Sequence, residues 1–390
     1  MINAIVIAIA LIWSFISVFG LQPLVELKGG VFNSSEPTQQ SIQTEKPVSN
    51  YIQPTNQPNQ SGSAKSRVGT KIQQPTLGTY VKITSGPYDG EIISETNEVT
   101  FEFDLKETSN QSVAFETKID GFDNNWISTS SKQRTITLPA GPKEYTFLVR
   151  QQNKDNQLPA QRKFKINVSL YFKKFDIAGL STQYQNQPSL ITINTNLNTG
   201  EQINITGWSL ENVRDKIILS KGIEKYNPSS NYTPKDNIII RQGDSIYISS
   251  AQTPIGPTQA FKINKCFGYL TTLYAFPISV YGSCPSVDKK DISHLSNCCQ
   301  EYILNAPSCD AQKDAYKVEE SECREYISNN LNYEGCFAKY SQDSDFLGNQ
   351  WQVYLNHNLA ITGECNTIYL KDQNRLFVDK YSYNQESCRF

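Results

Sequence analysis

The run VTFEFDLKETSNQSVAFETKIDG at 99–121 decides the fold class. In it Val99, Phe101, Phe103 and Leu105 alternate with polar residues. A Ser109-Asn110 turn signal follows, and Val113, Phe115, Thr117 and Ile119 then resume the alternation up to Asp120-Gly121. Successive side chains of an extended chain point to opposite faces, so a period of two marks strands with one buried face. The pattern continues in Tyr145, Phe147 and Val149, and again in Phe164, Ile166, Val168 and Leu170. Ser85-Gly86-Pro87 and Ala140-Gly141-Pro142 separate these runs with residues suited to turns.

Six or seven short strands between 79 and 170 predict an immunoglobulin-like β-sandwich. The stretch holds no cysteine, which excludes the inter-sheet disulfide of antibody domains. The phrase IDGFDNNW (119–126), followed by LPAGPKEYTFLVR (138–150), resembles triple-tyrosine and related bacterial Ig-like modules. Trp126 is then a structural signature residue.

The β reading extends beyond 170. SLITINT (189–195) and EQINIT (201–206) flank a turn at Gly200. They are followed by ITGWSLEN (205–212), Lys216–Leu219, IIIRQGDSIYIS (238–249) and AFKINKCFGYL (260–270). The order I-x-G-W-x-L-x-N, then a strand ending in Gly-Asp before I-x-I, resembles the lamin-tail domain, itself a small Ig-like β-sandwich. CNTIYLKDQNRLFVDKYSY (365–383) resembles that domain's closing strands. The resemblance implies two tandem sandwiches, 79–170 and 171–390, with structural roles for Gly207 and Trp208. Glycine permits a tight turn, and the indole fills space between sheets. The FKINKCFGYL and GSCP segments, with Cys266 and Cys284, resemble a version found in bacterial surface proteins, and this implies a Cys266–Cys284 bridge.

Residues 289–345 break the pattern. Leu295, Cys298, Cys299, Tyr302 and Ile303 fall on one face of a helix that ends before Pro307, and Cys323, Tyr326, Ile327 and Leu331 form a second stripe. Six Lys/Arg against eleven Asp/Glu make the segment acidic. It reads as a small helical insertion held by disulfides, each worth about 2–4 kcal/mol. Cys323–Cys336 is an expected second pair, and Cys309 is expected to bond Cys298 or Cys299.

All nine cysteines (266, 284, 298, 299, 309, 323, 336, 365 and 388) lie in the last third of the chain. No pair has the C-x2-C spacing of a zinc ribbon, so a disulfide framework in an oxidising compartment is the expectation. The odd count leaves at least one thiol free or bonded between molecules. From Ile2 to Leu21 there is no charge, and about twenty helical residues at roughly 1.5 Å each match a bilayer core. Residues 1–22 are therefore expected to anchor the chain in a membrane. A cleaved signal is the rival reading, although a basic n-region is missing. Residues 23–78, rich in Gln, Asn, Ser, Thr and Pro, read as a flexible tether.

Little in the chain suggests chemistry. The phosphate-loop, nucleophile-elbow, HExxH and dinucleotide motifs are missing, and there are only two histidines, His294 and His357. A thiol–imidazole pair of Cys336 or Cys365 with His357 would need a cysteine outside any disulfide. His294 beside Cys298 and Cys299 is weak as a metal set. Asp120, Asp123, Asn124 and Asn125 offer oxygen ligands without EF-hand spacing, and Asp343 and Asp345 offer fewer. Sequons occur at Asn33, Asn110, Asn167, Asn204 and Asn231. No cofactor or metal is expected. The reading is a non-enzymatic, outward-facing protein anchored in a membrane, serving adhesion, partner binding or envelope structure. Its partner is a protein or cell-envelope polymer, and Tyr269, Tyr274 and Phe276 hint at an aromatic surface. The lamin-tail resemblance implies an alternative, nucleic-acid binding at the cell surface (DNA capture) through that domain; the net charge of −2 and the acidic insertion disfavour it, and Lys163, Lys165, Lys173 and Lys174 are the local basic face that would serve it.

Overall fold

A computed structural model describes residues 80–107, 113–154, 157–182, 187–227, 234–256, 260–278, 284–357 and 366–383, all within the unit Gln73–Phe390. The expected anchor (1–22), the tether (23–78), Cys365 and Cys388 lie outside these residues. Among the described residues no helix is long and apolar enough to cross a membrane. The fold is mainly β, as the alternation predicts.

Two sheets face each other over 81–166. Strands β1 (Val81–Ser85), β3 (Glu98–Leu105) and β6 (Gln133–Thr137) form one antiparallel sheet in that order. The other runs β2 (Glu91–Ile93), β8 (Ala160–Ile166), β7 (Lys143–Gln151), β4 (Phe115–Asp120) and β5 (Ile127–Thr129), with β2 and β8 parallel. Val99, Phe101 and Phe103 of the first sheet meet Phe115, Ile119, Phe147 and Phe164 of the second in one buried cluster. Phe101 and Phe147 stack with ring centres 4.0 Å apart. Arg162, paired opposite Phe147, donates to the carbonyls of Ile83, Gly86 and Pro87 at 3.0–3.3 Å and ties the sheets at one end. Leu170 departs from the expected alternation and is exposed, because β8 ends at Ile166 and the chain turns at Ser169–Lys174.

A second core serves the rest of the β structure. One sheet runs β16 (Ala260–Asn264), β17 (Leu347–Tyr354), β15 (Ser245–Ser249), β10 (Leu190–Thr195) and β9 (Phe175–Ser181). Another runs β13 (Lys216–Ile218), β12 (Ser209–Glu211), β18 (Asn366–Lys371) and β19 (Phe377–Tyr383), and β11 (Gln202–Asn204) pairs with β14 (Ile239–Arg241). Ile193, Trp208, Leu210, Ile248, Trp351 and Leu370 belong to its shared core. Gly207 takes a φ of +86°, which favours glycine, and turns the chain so that Trp208 enters the core. The Trp208 indole packs edge-on against Phe175 and donates to Gln373 Oε1 at 2.8 Å. The two cores meet at Phe377, which buries itself in the first while β19 belongs to the second. Val168 bridges to Phe377 in parallel, and Ser169 donates through Oγ to Asp372 Oδ2 at 2.7 Å.

β16 and β17 are antiparallel neighbours, yet residues 265–346 separate them in the chain. AFKINKCFGYL, read as strand through 270, is strand only to Asn264; a helix starts at Phe267. Buried Asn264 makes the exit. Its Oδ1 accepts from the Cys266 amide and its Nδ2 donates to the Tyr333 hydroxyl, which in turn donates to the Tyr226 carbonyl. On the same strand Lys262 is buried against Asp244 at 2.8 Å, with both side chains nearly inaccessible. Asp244 Oδ2 also accepts from the Arg241 amide.

Removing one partner of such a pair strands a buried charge, so Lys262→Met is expected to cost about 3–5 kcal/mol in urea denaturation. Lys262→Met with Asp244→Asn should recover part of that loss. Glu211 is opposed by burial, but Lys216, Lys371 and the Ser209 hydroxyl more than offset this and lower its pKa from 4.5 to about 2. A carboxylate depressed on folding contributes stability above its unfolded pKa and loses it as pH falls toward the folded one. Stability is therefore expected to fall between about pH 4.5 and 2, and Glu211→Gln should flatten that slope in acid titrations followed by circular dichroism.

Candidate functional site

Helices α1 (Phe267–Leu273), α2 (Asn297–Asn305), α3 (Ser321–Asn330) and α4 (Tyr333–Tyr340) fill the insertion. Ser296 caps α2 by accepting from the Cys299 amide, and Asn332 caps α4 by accepting from the Gly335 amide at 2.7 Å. Each expected stripe sends three residues into the core, Leu295, Cys299 and Ile303 from the first and Cys323, Ile327 and Leu331 from the second. They form a small outer core with Ile292. An inner core of Phe267, Tyr269, Leu270, Tyr333, Cys336 and Phe346 joins Phe261, Ile263 and Tyr354 of the sheet.

Three disulfides bind this layout, and none is a pair expected from sequence. Cys266 bonds Cys336 rather than Cys284, because the turn at Asn264 points Cys266 at α4. Cys299 bonds Cys323, joining the inward faces of α2 and α3, so Cys323 does not reach Cys336. Cys309 bonds Cys284, not Cys298 or Cys299. Cys298, placed on the inward stripe by spacing, is exposed and is the free thiol among the described residues. With only one of two adjacent cysteines able to face inward on a helix, Cys299 takes the core.

Where the inner and outer cores meet, a cleft of about 260 Å³ opens. Tyr269 and Leu331 lie at its base beside the Cys266–Cys336 bridge. Tyr326, Tyr340, Asp291, Asn330 and Lys339 add polar groups, and Val287 and Pro285 add an apolar side. Lys339 pairs with Asp291 and lies 5.0 Å from the Tyr340 ring centre. Lys265, itself paired with Asp343 and Asp345, lies 5.3 Å from the same ring. Burial raises the Tyr269 pKa, and the nearby Tyr340 and Tyr326 phenols raise it further. Tyr326 is raised by burial, with Asp291 and Tyr340 adding to the shift and Lys339 opposing it. Tyr269 and Tyr326 therefore stay protonated at neutral pH. The Lys339 ammonium is desolvated, yet Asp291 and Tyr340 hold its pKa above the ordinary value. The cleft presents hydroxyls, an amide and an internally neutralised ion pair. That suits binding by hydrogen bonds and ring contact.

The other sequence candidates fall elsewhere. Tyr269 is buried at the cleft base, Phe276 packs on Phe261 and Phe267, and Tyr274 is 41% exposed. Trp126 is half-buried with the Arg150 guanidinium 4.3 Å from its ring centre. Asp123 accepts from the Ile119 amide and pairs with Arg134 at 2.9 Å, and Asp120 pairs with Lys118. Asn124 and Asn125 are exposed. Among the described residues no group of three or more His, Cys, Asp or Glu is placed to hold a metal. His294 is exposed and meets the Tyr326 ring at 62°, and His357 lies 3.9 Å from Asp215. Cys336 is bonded to Cys266, so it supplies no thiolate to His357. Lys174 pairs with Glu201, Lys163 and Lys165 sit on β8 opposite Thr146 and Glu144, and the Lys173 ammonium lies 5.3 Å from the Phe172 ring centre. Asn204 is exposed and Asn167 half-buried, while Asn33, Asn110 and Asn231 lie outside the described residues. Sequence reasoning missed Asp291, Asn330, Lys339 and Tyr340; tyrosine abundance was a signal for Tyr340, and the other three carried none.

Compared with known proteins, the chain matches no protein-family model and no curated protein.

Gly335 shapes the cleft through close approach. A Cβ there would sit 2.4 Å from the Asn329 carbonyl oxygen and 2.7 Å from Asn330 Cα. Overpacking against backbone typically costs about 1–3 kcal/mol. Gly335→Ala is expected to lower stability by that order and to raise hydrogen exchange across α3 and α4 while the strands at 81–166 keep their protection.

Proposed function

We propose that the chain is a non-enzymatic, extracytoplasmic protein held at a membrane by its apolar N-terminal segment. It displays two Ig-like β modules, the second lamin-tail-like and carrying the helical insertion, for adhesion, partner binding or envelope structure. One observation carries this reading: three disulfides stitch a segment of modest core size. Such bridges form and persist in oxidising compartments. The charge-free run Ile2–Leu21 supports export and anchoring. The binding role rests on the cleft, whose ion pair is satisfied internally and whose cysteine is locked in a disulfide, an arrangement better suited to holding a ligand than to transforming it. The acidic insertion and the pairing of Lys174 with Glu201 weigh against a phosphate-binding surface.

Alkylation of the full chain recovered from the membrane fraction, before and after reduction, tests the proposal. Cys298 is expected to label in the native protein, and Cys266, Cys284, Cys299, Cys309, Cys323 and Cys336 only after reduction. Native labelling of those six, or recovery of the chain in the cytosol, would overturn it.

A further inference from the structure

We propose that the cleft between α3 and α4 binds a neutral saccharide, with Tyr326 as the ring against which a pyranose face packs. This deepens the display reading and rests on it. The charge pattern selects the ligand class. Lys339 already occupies the position a cationic ligand would seek, pairing with Asp291 and lying over Tyr340, so a second cation would be repelled. An anion would compete with Asp291 for Lys339 and face that carboxylate unpaired. A neutral ligand leaves the pair intact.

The polar groups match a polyol. The Tyr326, Tyr340 and Tyr269 side chains line the cleft with Leu331 and with Asn330, whose Nδ2 donates one hydrogen to the Tyr326 carbonyl at 3.0 Å. Phenol hydroxyls both donate and accept, as sugar hydroxyls do, so each can be satisfied in turn. The rings differ in availability. Tyr340 is contacted by two ammonium groups, those of Lys265 and Lys339, and Tyr269 is only 8% exposed. Tyr326 is half-buried, packed on the outer core, and meets His294 at a steep angle rather than in a stack. A saccharide's C–H face placed on such a ring buries apolar area without unsatisfying its hydroxyls. The cavity of about 260 Å³ lies near the lower end of small-ligand sites, which fits one or two sugar rings better than a folded partner.

The test uses the full chain in detergent, with cellotetraose, maltotetraose and chitotetraose as neutral probes. A sulfated oligosaccharide and an uncharged peptide serve as controls. Calorimetry is expected to show sub-millimolar binding of at least one neutral tetrasaccharide, insensitive to salt, with exchange protection confined to residues 285–340. Tyr326→Ala should weaken binding about tenfold, or roughly 1.4 kcal/mol, and Tyr326→Phe should weaken it less. Asn330→Ala, at an exposed position, provides a variant whose melting temperature should stay near that of the parent while affinity falls. Any of three results would overturn the proposal: no neutral tetrasaccharide binding at millimolar concentration, binding unchanged in Tyr326→Ala, or protection of the cleft by the sulfated probe or the peptide instead. Running the titration on protein whose six bridged cysteines resist alkylation separates the two ideas. Failure there removes only the ligand, whereas reactive bridged cysteines would remove the display reading.

Discussion

The structure depends on one geometric constraint, the antiparallel pairing of Ala260–Asn264 with Leu347–Tyr354. Everything from 265 to 346 must leave the sheet and return to the same spot, and the Lys265 amide donates to the Phe346 carbonyl at that neck. Closing a long loop grows only logarithmically more costly with length, so a sheet can host a large insertion at a modest penalty. What the insertion cannot do is stay ordered on closure alone. Asn264 satisfies the first turn, Phe267 and Phe346 bury themselves with Phe261, and Cys266–Cys336 fastens the inner helices to that base. Farther from the sheet there is less to bury, and Cys299–Cys323 supplies what the outer core lacks, while Cys284–Cys309 packs against the inner one.

The β structure below the insertion is joined by polar contacts as well as apolar ones. Arg162 reaches carbonyls across the first pair of sheets, and Ser169 bonds Asp372 where the two cores meet. The buried pair Lys262–Asp244 joins β16, the strand that carries the insertion, to the turn between β14 and β15. Replacing such pairs by apolar residues is often neutral for stability, so this one is better understood as fixing how β16 is set against the Asp244 turn. The position of the cleft thus follows from sheet register, through β16, to Cys266 and then to α4.

The cleft is a boundary feature. Tyr269 and Cys336 belong to the inner core and Leu331 to the outer one, and the space between is what two small cores leave when neither can extend over the other. Its polar rim comes from the edges of both cores, Tyr326 packed on the outer one and Tyr340 on the inner, together with Asp291, Asn330 and Lys339. Lys339 and Asp291 neutralise each other there, and that pairing leaves hydroxyls and an amide as the groups facing a ligand.

The sequence by itself determined the strands. Period-two runs at 99–105, 113–119, 145–149 and 164–168 place the residues they mark in the core or packed against it, because alternation is a local property of extended chain. The helical stripes at 295–303 and 323–331 were legible for the same reason, with 3.6 in place of two. Gly207 and Trp208 were also legible, as a turn and a large apolar side chain. Tertiary structure alone decided the rest. Which cysteines meet depends on how helices distant in sequence are set against each other, and spacing carries no trace of it; Cys266 faces Cys336 only because Asn264 ends the strand. The adjacent Cys298 and Cys299 divide between solvent and core by the rotation of one helix. Asp291, Asn330 and Lys339 surround the cleft although nothing in their neighbours distinguishes them, since a cavity is a relation between surfaces and is written at no single place in the chain.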